Sequence, residues 1–330
     1  MSAKRKLYEC AARRRLIESD RGGQKPLVVG DEVEWELTEP GRGVVQDVYP
    51  RRTKLSRTDP HDPRIEHVIV ANVDQVLIVS SVLKPRLNTG IIDRYIIAGE
   101  RGGLLTLICI NKLDLAREPA DYEAVAEQYR RIGYKVALTS ARTRLGIEEL
   151  KDALKDKCTV LAGHSGVGKS SLINAVQPGL KLKTGEVKRK GQHVTASVSL
   201  LELDFGGFVV DTPGIRELLP WDVEKRDVAQ FFPEIWKFTV DCKMPDCLHL
   251  QEPDCAVRAA LERGDLPESR YVSYANIVES IGEWITPRDS DVERPSEQVA
   301  REKRDFSRRA LKQRFRRQWL IDFEEEEKEQ

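Results

Sequence analysis

The chain has 330 residues, a formal net charge of zero and 33% charged residues. A single core stops growing near ~250–300 residues, so this length implies more than one domain. No apolar run approaches the ~18 residues of a membrane span, and Met1-Ser2-Ala3-Lys4-Arg5-Lys6 has no apolar stretch behind it to serve as a secretory signal.

Residues 1–65 read as all-β. Pro26 to Leu37 alternates apolar and polar, then Gly41-Arg42-Gly43 turns into Val44 to Tyr49. Short strands with glycine turns suggest a small OB-like barrel, an architecture that commonly binds nucleic acid, with Arg51, Arg52, Lys54 and Arg57 available to RNA. From Val68 the pattern changes to strands alternating with helices. Strands are expected over Gln75–Val82, Leu104–Ile110, Val136–Leu138, Cys158–Ala162, Ser197–Leu203 and Gly207–Val210. Helices are expected over Asn88–Glu100, Asp121–Arg131, Ile147–Lys155 and from Lys169 to Val176. Residues 66–220 therefore read as an α/β domain with a parallel sheet covered on both faces. Residues 221–286 read as mainly helical, with a helix over Arg270–Ile281. Residues 287–330 read as a linker, a basic helix over Arg301–Phe323 with an aromatic stripe, and an acidic tail.

One motif dominates the α/β segment. Gly163-His164-Ser165-Gly166-Val167-Gly168-Lys169-Ser170-Ser171 fits the phosphate-binding P-loop and lies between a strand and a helix, as that motif requires. Its glycines let backbone N–H groups point at phosphate oxygens, and the helix N-terminus adds partial positive charge. Lys169 would reach the β- and γ-phosphates and Ser170 would ligate Mg²⁺.

Further motifs specify guanine. Asn111-Lys112-Leu113-Asp114 follows a strand, and a carboxylate there accepts from guanine N1–H and the 2-amino group together, a pairing adenine cannot offer. Lys112 would lie over the base. Thr139-Ser140-Ala141 lets a backbone N–H approach guanine O6. Asp211-Thr212-Pro213-Gly214 supplies Asp211 to Mg²⁺ through water and the Gly214 N–H to the γ-phosphate, and Thr195 is a second candidate Mg²⁺ ligand. Each motif sits at the C-terminal end of a strand, where α/β sheets bind ligands. Their order is inverted: the guanine-reading motifs precede the P-loop, so the chain reads as circularly permuted.

The six cysteines divide into Cys10, Cys109 and Cys158, which stand singly, and Cys242, Cys247 and Cys255, which cluster around His249. Three thiols and an imidazole suit a closed tetrahedral structural Zn²⁺ site. The overall usage fits a reducing, cytoplasmic compartment rather than a disulfide framework.

From about Tyr8 to Ile281 the sequence resembles the RsgA/YjeQ circularly permuted GTPases. The resemblance rests on Val29-Gly30-Asp31-Glu32-Val33-Glu34, Ala71-Asn72-Val73-Asp74-Gln75, Ile92-Asp93-Arg94-Tyr95, the nucleotide motifs and the cysteine cluster. It implies an N-terminal OB-fold, a permuted GTPase core and a C-terminal zinc domain. It also implies a monomeric factor that binds the small ribosomal subunit and its rRNA and hydrolyses GTP late in subunit maturation. Ile215 occupies the position where Ras-like proteins carry the water-orienting glutamine, and the resemblance points instead to His193. Lys188-Arg189-Lys190 would meet rRNA phosphate and help to place His193. Three departures from the family pattern stand out. About seven residues precede Tyr8, too few for the usual complete first strand; Val194 replaces a threonine; and Gly166 replaces an asparagine linked to K⁺ binding, so no potassium dependence is expected. The alternative reading is an RNA-binding adaptor in which guanine nucleotide is a weakly hydrolysed structural ligand.

Overall fold

The computed structural model describes residues 6–14, 16, 27–59, 62, 65–180, 198–212 and 218–282. The N-terminal region is built from two β-sheets. β1 (Glu9–Ala12), β2 (Val33–Glu39) and β3 (Arg42–Val48) form a three-stranded sheet in the order β1-β3-β2, with β1 parallel and β2 antiparallel to β3. β4 (Lys54–Thr58) and β5 (Glu66–Ala71) form an antiparallel pair, and a bridge between Val29 and Val70 connects the two sheets. The domain boundary expected between residues 65 and 66 falls inside this hairpin. The apolar alternation of His67 to Ala71 suits a hairpin strand as well as it suits the first strand of an α/β sheet, so periodicity alone could not separate them.

The junction between these sheets and the rest of the chain explains two motifs singled out in the sequence. The Asp31 carboxylate accepts from the Val28 N–H (2.8 Å) and from Arg51 Nε and Nη2 (2.7 and 2.9 Å). Asn72 donates to the Gly30 carbonyl and accepts from the Arg52 N–H, both at 2.9 Å. Gly30 lies at φ +91°, and a Cβ there would stand 1.9 Å from the Ala71 carbonyl oxygen. Only glycine fits where the backbones approach so closely.

The central sheet has six strands in the order β10-β11-β9-β6-β7-β8. These are β6 (Gln75–Ser81), β7 (Leu105–Asn111), β8 (Lys135–Leu138), β9 (Cys158–Ala162), β10 (Ser199–Glu202) and β11 (Phe208–Asp211). Five strands run parallel, as the α/β pattern implies, and β10 is added antiparallel to β11 at one edge. A short turn at Asp204–Gly207 joins β10 to β11, and only an antiparallel pair can close over so few residues. The helices are α1 (Thr89–Arg101), α2 (Ala120–Arg131), α3 (Ile147–Leu154) and α4 (Lys169–Val176). Alternate residues of β6 enter different cores: Val76 and Ile78 pack with α1 and α2, Leu77 and Val79 with α3 and α4. The sheet is therefore covered on both faces.

α1 has two working faces. Ile92, Tyr95 and Ile96 bury against the sheet. Asp93, Ile97 and Arg101, each four residues apart and hence stacked along the helix, meet the C-terminal region. That region comprises a 3₁₀ segment (Lys225–Phe231), α5 (Pro233–Thr239), α6 (Ala256–Glu262) and α7 (Glu268–Gly282). Its core gathers Val228, Phe232, Ile235, Tyr274, Ile277 and Val278, with Ile97 of α1 included. Arg270 of α7 is 0% exposed and ion-pairs with both Asp93 and Glu234. Burial raises the Asp93 carboxyl above its ordinary range, opposed by the Arg270 charge.

Replacing Gly30 by alanine should lower the free energy of unfolding by about 1–3 kcal/mol through the clash with Ala71 and the left-handed backbone. Urea denaturation followed by circular dichroism checks this; an unchanged midpoint would contradict the close approach.

Candidate functional site

The loops at the C-terminal ends of β7, β8 and β9 converge. Gly163 and Gly168 adopt φ +131° and +95°, and added Cβ atoms would lie 2.1 Å from the Val79 carbonyl oxygen and 2.6 Å from Asn111 Nδ2. The P-loop thus wraps against β6 and against the end of β7. Lys169 Nζ donates to the carbonyls of Gly163 (2.7 Å) and His164 (3.1 Å) inside that loop. Burial lowers the Lys169 pKa, and the Asp211 carboxylate opposes the shift; burial likewise raises Asp211, and Lys169 opposes it. Ser165, Gly166 and Ser171 are exposed, Val167 is buried, and Ser170 lies half-buried in the first turn of α4. The Thr212 hydroxyl, next to Asp211, donates to the Leu161 carbonyl at 2.8 Å and fixes the end of β11 beside β9.

Asn111 ties these loops together. Its Nδ2 donates to the Val167 carbonyl (3.0 Å), and its Oδ1 accepts from Thr139 Oγ1 (3.2 Å) and from the Ala141 N–H (3.3 Å). One buried amide thereby joins the P-loop to the loops after β7 and β8. Lys112, at φ 63°, donates from Nζ to the carbonyls of Lys84 and Gly166, each at 2.5 Å. Burial lowers its pKa, Asp114 raises it and Lys84 lowers it further. Asp114 Oδ1 accepts from Ser140 Oγ at 2.6 Å, and Arg142 Nη1 stands 3.8 Å from Asp114 Oδ2. The arrangement presents one carboxylate edge, fixed by a hydroxyl, beside the P-loop and its lysine. It can bind a planar base with adjacent donors and a polyphosphate chain in one cleft.

His193, Thr195 and Gly214 lie outside the described residues. Asn111 stood in a motif, but its bonds across three loops had no signal in the sequence. Arg142 directly follows the Thr139-Ser140-Ala141 motif, and that adjacency could have flagged it.

The cysteine cluster is also assembled. The ligand atoms of Cys242, Cys247, His249 and Cys255 lie within 4.8 Å of one another. His249 Nδ1 is 3.4 Å from Cys242 Sγ and from Cys255 Sγ, and those two sulfurs are 3.9 Å apart. Tetrahedral Zn²⁺, with bonds of about 2.3 Å to sulfur and about 2.0–2.1 Å to nitrogen, spans S···S edges of ~3.8 Å and S···N edges of ~3.5 Å. The donor set fits zinc in kind and in spacing. Three neighbours missed in the sequence shape the loop. Glu252 accepts from the N–H groups of Leu248, Leu250 and Gln251 (2.8, 2.8 and 3.0 Å). Tyr271 and Tyr274 of α7 donate to the carbonyls of His249 and Leu248 (2.7 and 2.8 Å).

A family model described as RsgA GTPase matches residues 48–221. The chain belongs to the RsgA GTPase family. Among its RsgA relatives, the small ribosomal subunit biogenesis GTPase RsgA of Caldanaerobacter subterraneus subsp. tengcongensis is 40% identical over 286 residues, covering 86% of this chain and 92% of the relative. The protein of the same name from Thermotoga maritima is 43% identical over 256 residues, covering 76% and 82%. Solved RsgA-type structures agree. YjeQ from Thermotoga maritima matches with a TM-score of 0.64 at 38% identity, covering 82% of this chain and 89% of that one. YloQ, described as a circularly permuted GTPase, matches with a TM-score of 0.62 at 32% identity, covering 84% and 88%. The N-terminal β-sheets, permuted α/β sheet and Cys-rich helical region of this RsgA-family chain share that architecture. Among the described residues, no helix is long and apolar enough to cross a membrane.

Cys255→Ser should reduce the zinc content of purified protein from about one ion per chain to near none and lower the Tm. Elemental analysis and thermal melts check this; full zinc retention would contradict the Cys₃His set.

Proposed function

We propose that this GTPase binds GTP across the C-terminal edge of the sheet and hydrolyses it on the small ribosomal subunit during late maturation. The observation that carries the nucleotide reading is the Asn111 side chain, whose bonds to Val167, Thr139 and Ala141 bring the P-loop and the base-reading loops into one cleft. In this reading Asp114 pairs with guanine N1–H and the 2-amino group, held in orientation by Ser140. Lys112 lies against the base, and the Ala141 N–H faces O6. Backbone N–H groups from Gly163 to Lys169 and the Lys169 ammonium cradle the phosphates. Phosphate charge would draw Lys169 Nζ from the carbonyls that now hold it and stabilise its protonated form against burial.

Mg²⁺, held by Ser170, by Asp211 through water and by Thr195, would offset charge on the β- and γ-phosphate oxygens. The Gly214 N–H contacts the γ-phosphate, and His193 orients the attacking water. In transfer to water, the bond from the γ-phosphorus to the β–γ bridging oxygen breaks and one from phosphorus to the water oxygen forms. GDP and phosphate leave. A catalytic role for zinc does not arise: three thiolates and an imidazole leave no open position, so Cys242, Cys247, His249 and Cys255 would hold a structural ion.

The ribosomal assignment is supported by the relatives, which are named small ribosomal subunit biogenesis GTPases. The N-terminal β-sheets and the basic segments of the chain are the surfaces offered to rRNA, since clustered Arg and Lys release counterions from phosphate backbones.

GTP turnover by purified protein should rise at least about tenfold on adding small subunits, and His193→Ala should keep GTP binding while losing that stimulation. Phosphate release with and without subunits measures both. Absence of stimulation in the wild type would favour the RNA-binding adaptor instead, and full stimulation of His193→Ala would remove His193 from the reaction.

A further inference from the structure

The cluster around Arg270 joins four helical elements that are far apart in sequence. Arg270 of α7 donates to Asp93 of α1 through Nη1 and to Glu234 of α5 through Nε. Its guanidinium carbon lies 4.3 Å from the Phe232 ring centre and 5.2 Å from that of Tyr129 on α2. The Tyr129 hydroxyl donates to the same Asp93 oxygen at 2.7 Å. Beside it, Ser269 Oγ donates to Gln128 Oε1 across the α7–α2 contact at 3.2 Å. A planar cation close to two aromatic rings and bonded to two carboxylates has little freedom to slide.

The two ends of this junction reach different sites. Tyr271 and Tyr274, immediately beyond Arg270 on α7, hold the His249 and Leu248 carbonyls of the cysteine loop. α1 and α2 flank β7 in sequence, and β7 ends at Asn111. Ile91 and Ile92, directly before Asp93, line with His164 and Val167 a cavity of about 170 Å³ against the P-loop. A continuous set of contacts thus leads from the Cys₃His cluster along α7, through Arg270 and Asp93, to a cavity beside the P-loop.

We infer that Arg270 is a positioning residue through which metal at the Cys₃His cluster and guanine nucleotide at the sheet bind cooperatively. This rests on the nucleotide reading proposed above. Metal fixes the cysteine loop, the two tyrosines pass that order to α7, and Arg270 holds α1 and α2 in the arrangement that shapes the cleft. Linkage makes the effect reciprocal: nucleotide must raise zinc affinity by the same factor by which zinc raises nucleotide affinity.

The test is zinc affinity of the full chain by equilibrium competition with a chromogenic chelator, with no nucleotide, with saturating GDP and with ADP as control. GDP should tighten zinc about fivefold or more, and ADP should not. Because Arg270→Met alone leaves two buried carboxylates unpaired, the companion is the neutral combination Asp93→Asn, Glu234→Gln and Arg270→Met. It should still fold by circular dichroism and still take up zinc and GDP, with a zinc affinity that GDP no longer changes. A coupling carried by global stability alone would persist in that variant, and its persistence overturns the inference. GDP that binds the wild type, seen by fluorescent-nucleotide displacement, without changing zinc affinity also overturns it. If GDP does not bind at all, the nucleotide reading fails first and the coupling falls with it. The conservative Tyr271→Phe, which removes one hydroxyl bond to the cysteine loop, should reduce the GDP effect without abolishing zinc binding.

Discussion

The cleft depends on a single buried amide. The Asn111 side chain donates once and accepts twice: it donates to Val167 in the P-loop and accepts from Thr139 after β8 and from the Ala141 backbone. Its partners lie 56, 28 and 30 residues away in sequence, so no local propensity could bring them together. Removing this side chain would leave the buried Val167 carbonyl unpaired, a loss of about 1–3 kcal/mol before any ligand is considered. The same position works in either chain order, because a strand end is a place in space. That is why a permuted sequence can encode the site: the sheet restores β9 beside β6 although β7 and β8 intervene in the chain.

Permutation also changes what leaves the sheet. After β11 the chain passes into the C-terminal region, and its first described residues are immediately anchored. Leu218 is buried in the main core, the Leu219 and Pro220 carbonyls accept from Thr58, and Asp222 pairs with Arg101 of α1. Motion at the end of β11 therefore meets β4 and α1 before it meets the cysteine loop. With Asp93 and Ile97 on the same face as Arg101, α1 becomes the shared wall of the central sheet and the helical core that carries the Cys₃His cluster. The helix buries apolar side chains on both faces, and its Asp93 meets the fully buried Arg270 of α7.

Much of this was legible because local chemistry is short-ranged. Strand and helix periods along Gln75 to Val176 follow from which side chains face a two-sided core, and the P-loop, the Asp114 motif and the cysteine spacing are contiguous in sequence. The antiparallel direction of β10 follows from the short connection between it and β11, which the strand bounds read from the sequence already imply. What lay beyond the sequence shares a cause. β5 alternates like any half-buried strand, and only pairing with β4 shows where it belongs. Arg270 sits in a helix of mixed character and meets Asp93 across 177 residues of sequence, a pairing no spacing rule contains. Glu252 reads as one acid among many until its carboxylate is seen to collect three backbone N–H groups.

The central claim is that one cleft reads both the guanine edge and the phosphate chain. Titration calorimetry of the purified chain with GDP and with ADP tests it most directly. The account predicts stoichiometric GDP binding with ADP at least about a hundredfold weaker, since adenine leaves the Asp114 carboxylate unpaired. Equal affinities for the two, or no binding of either, would contradict it.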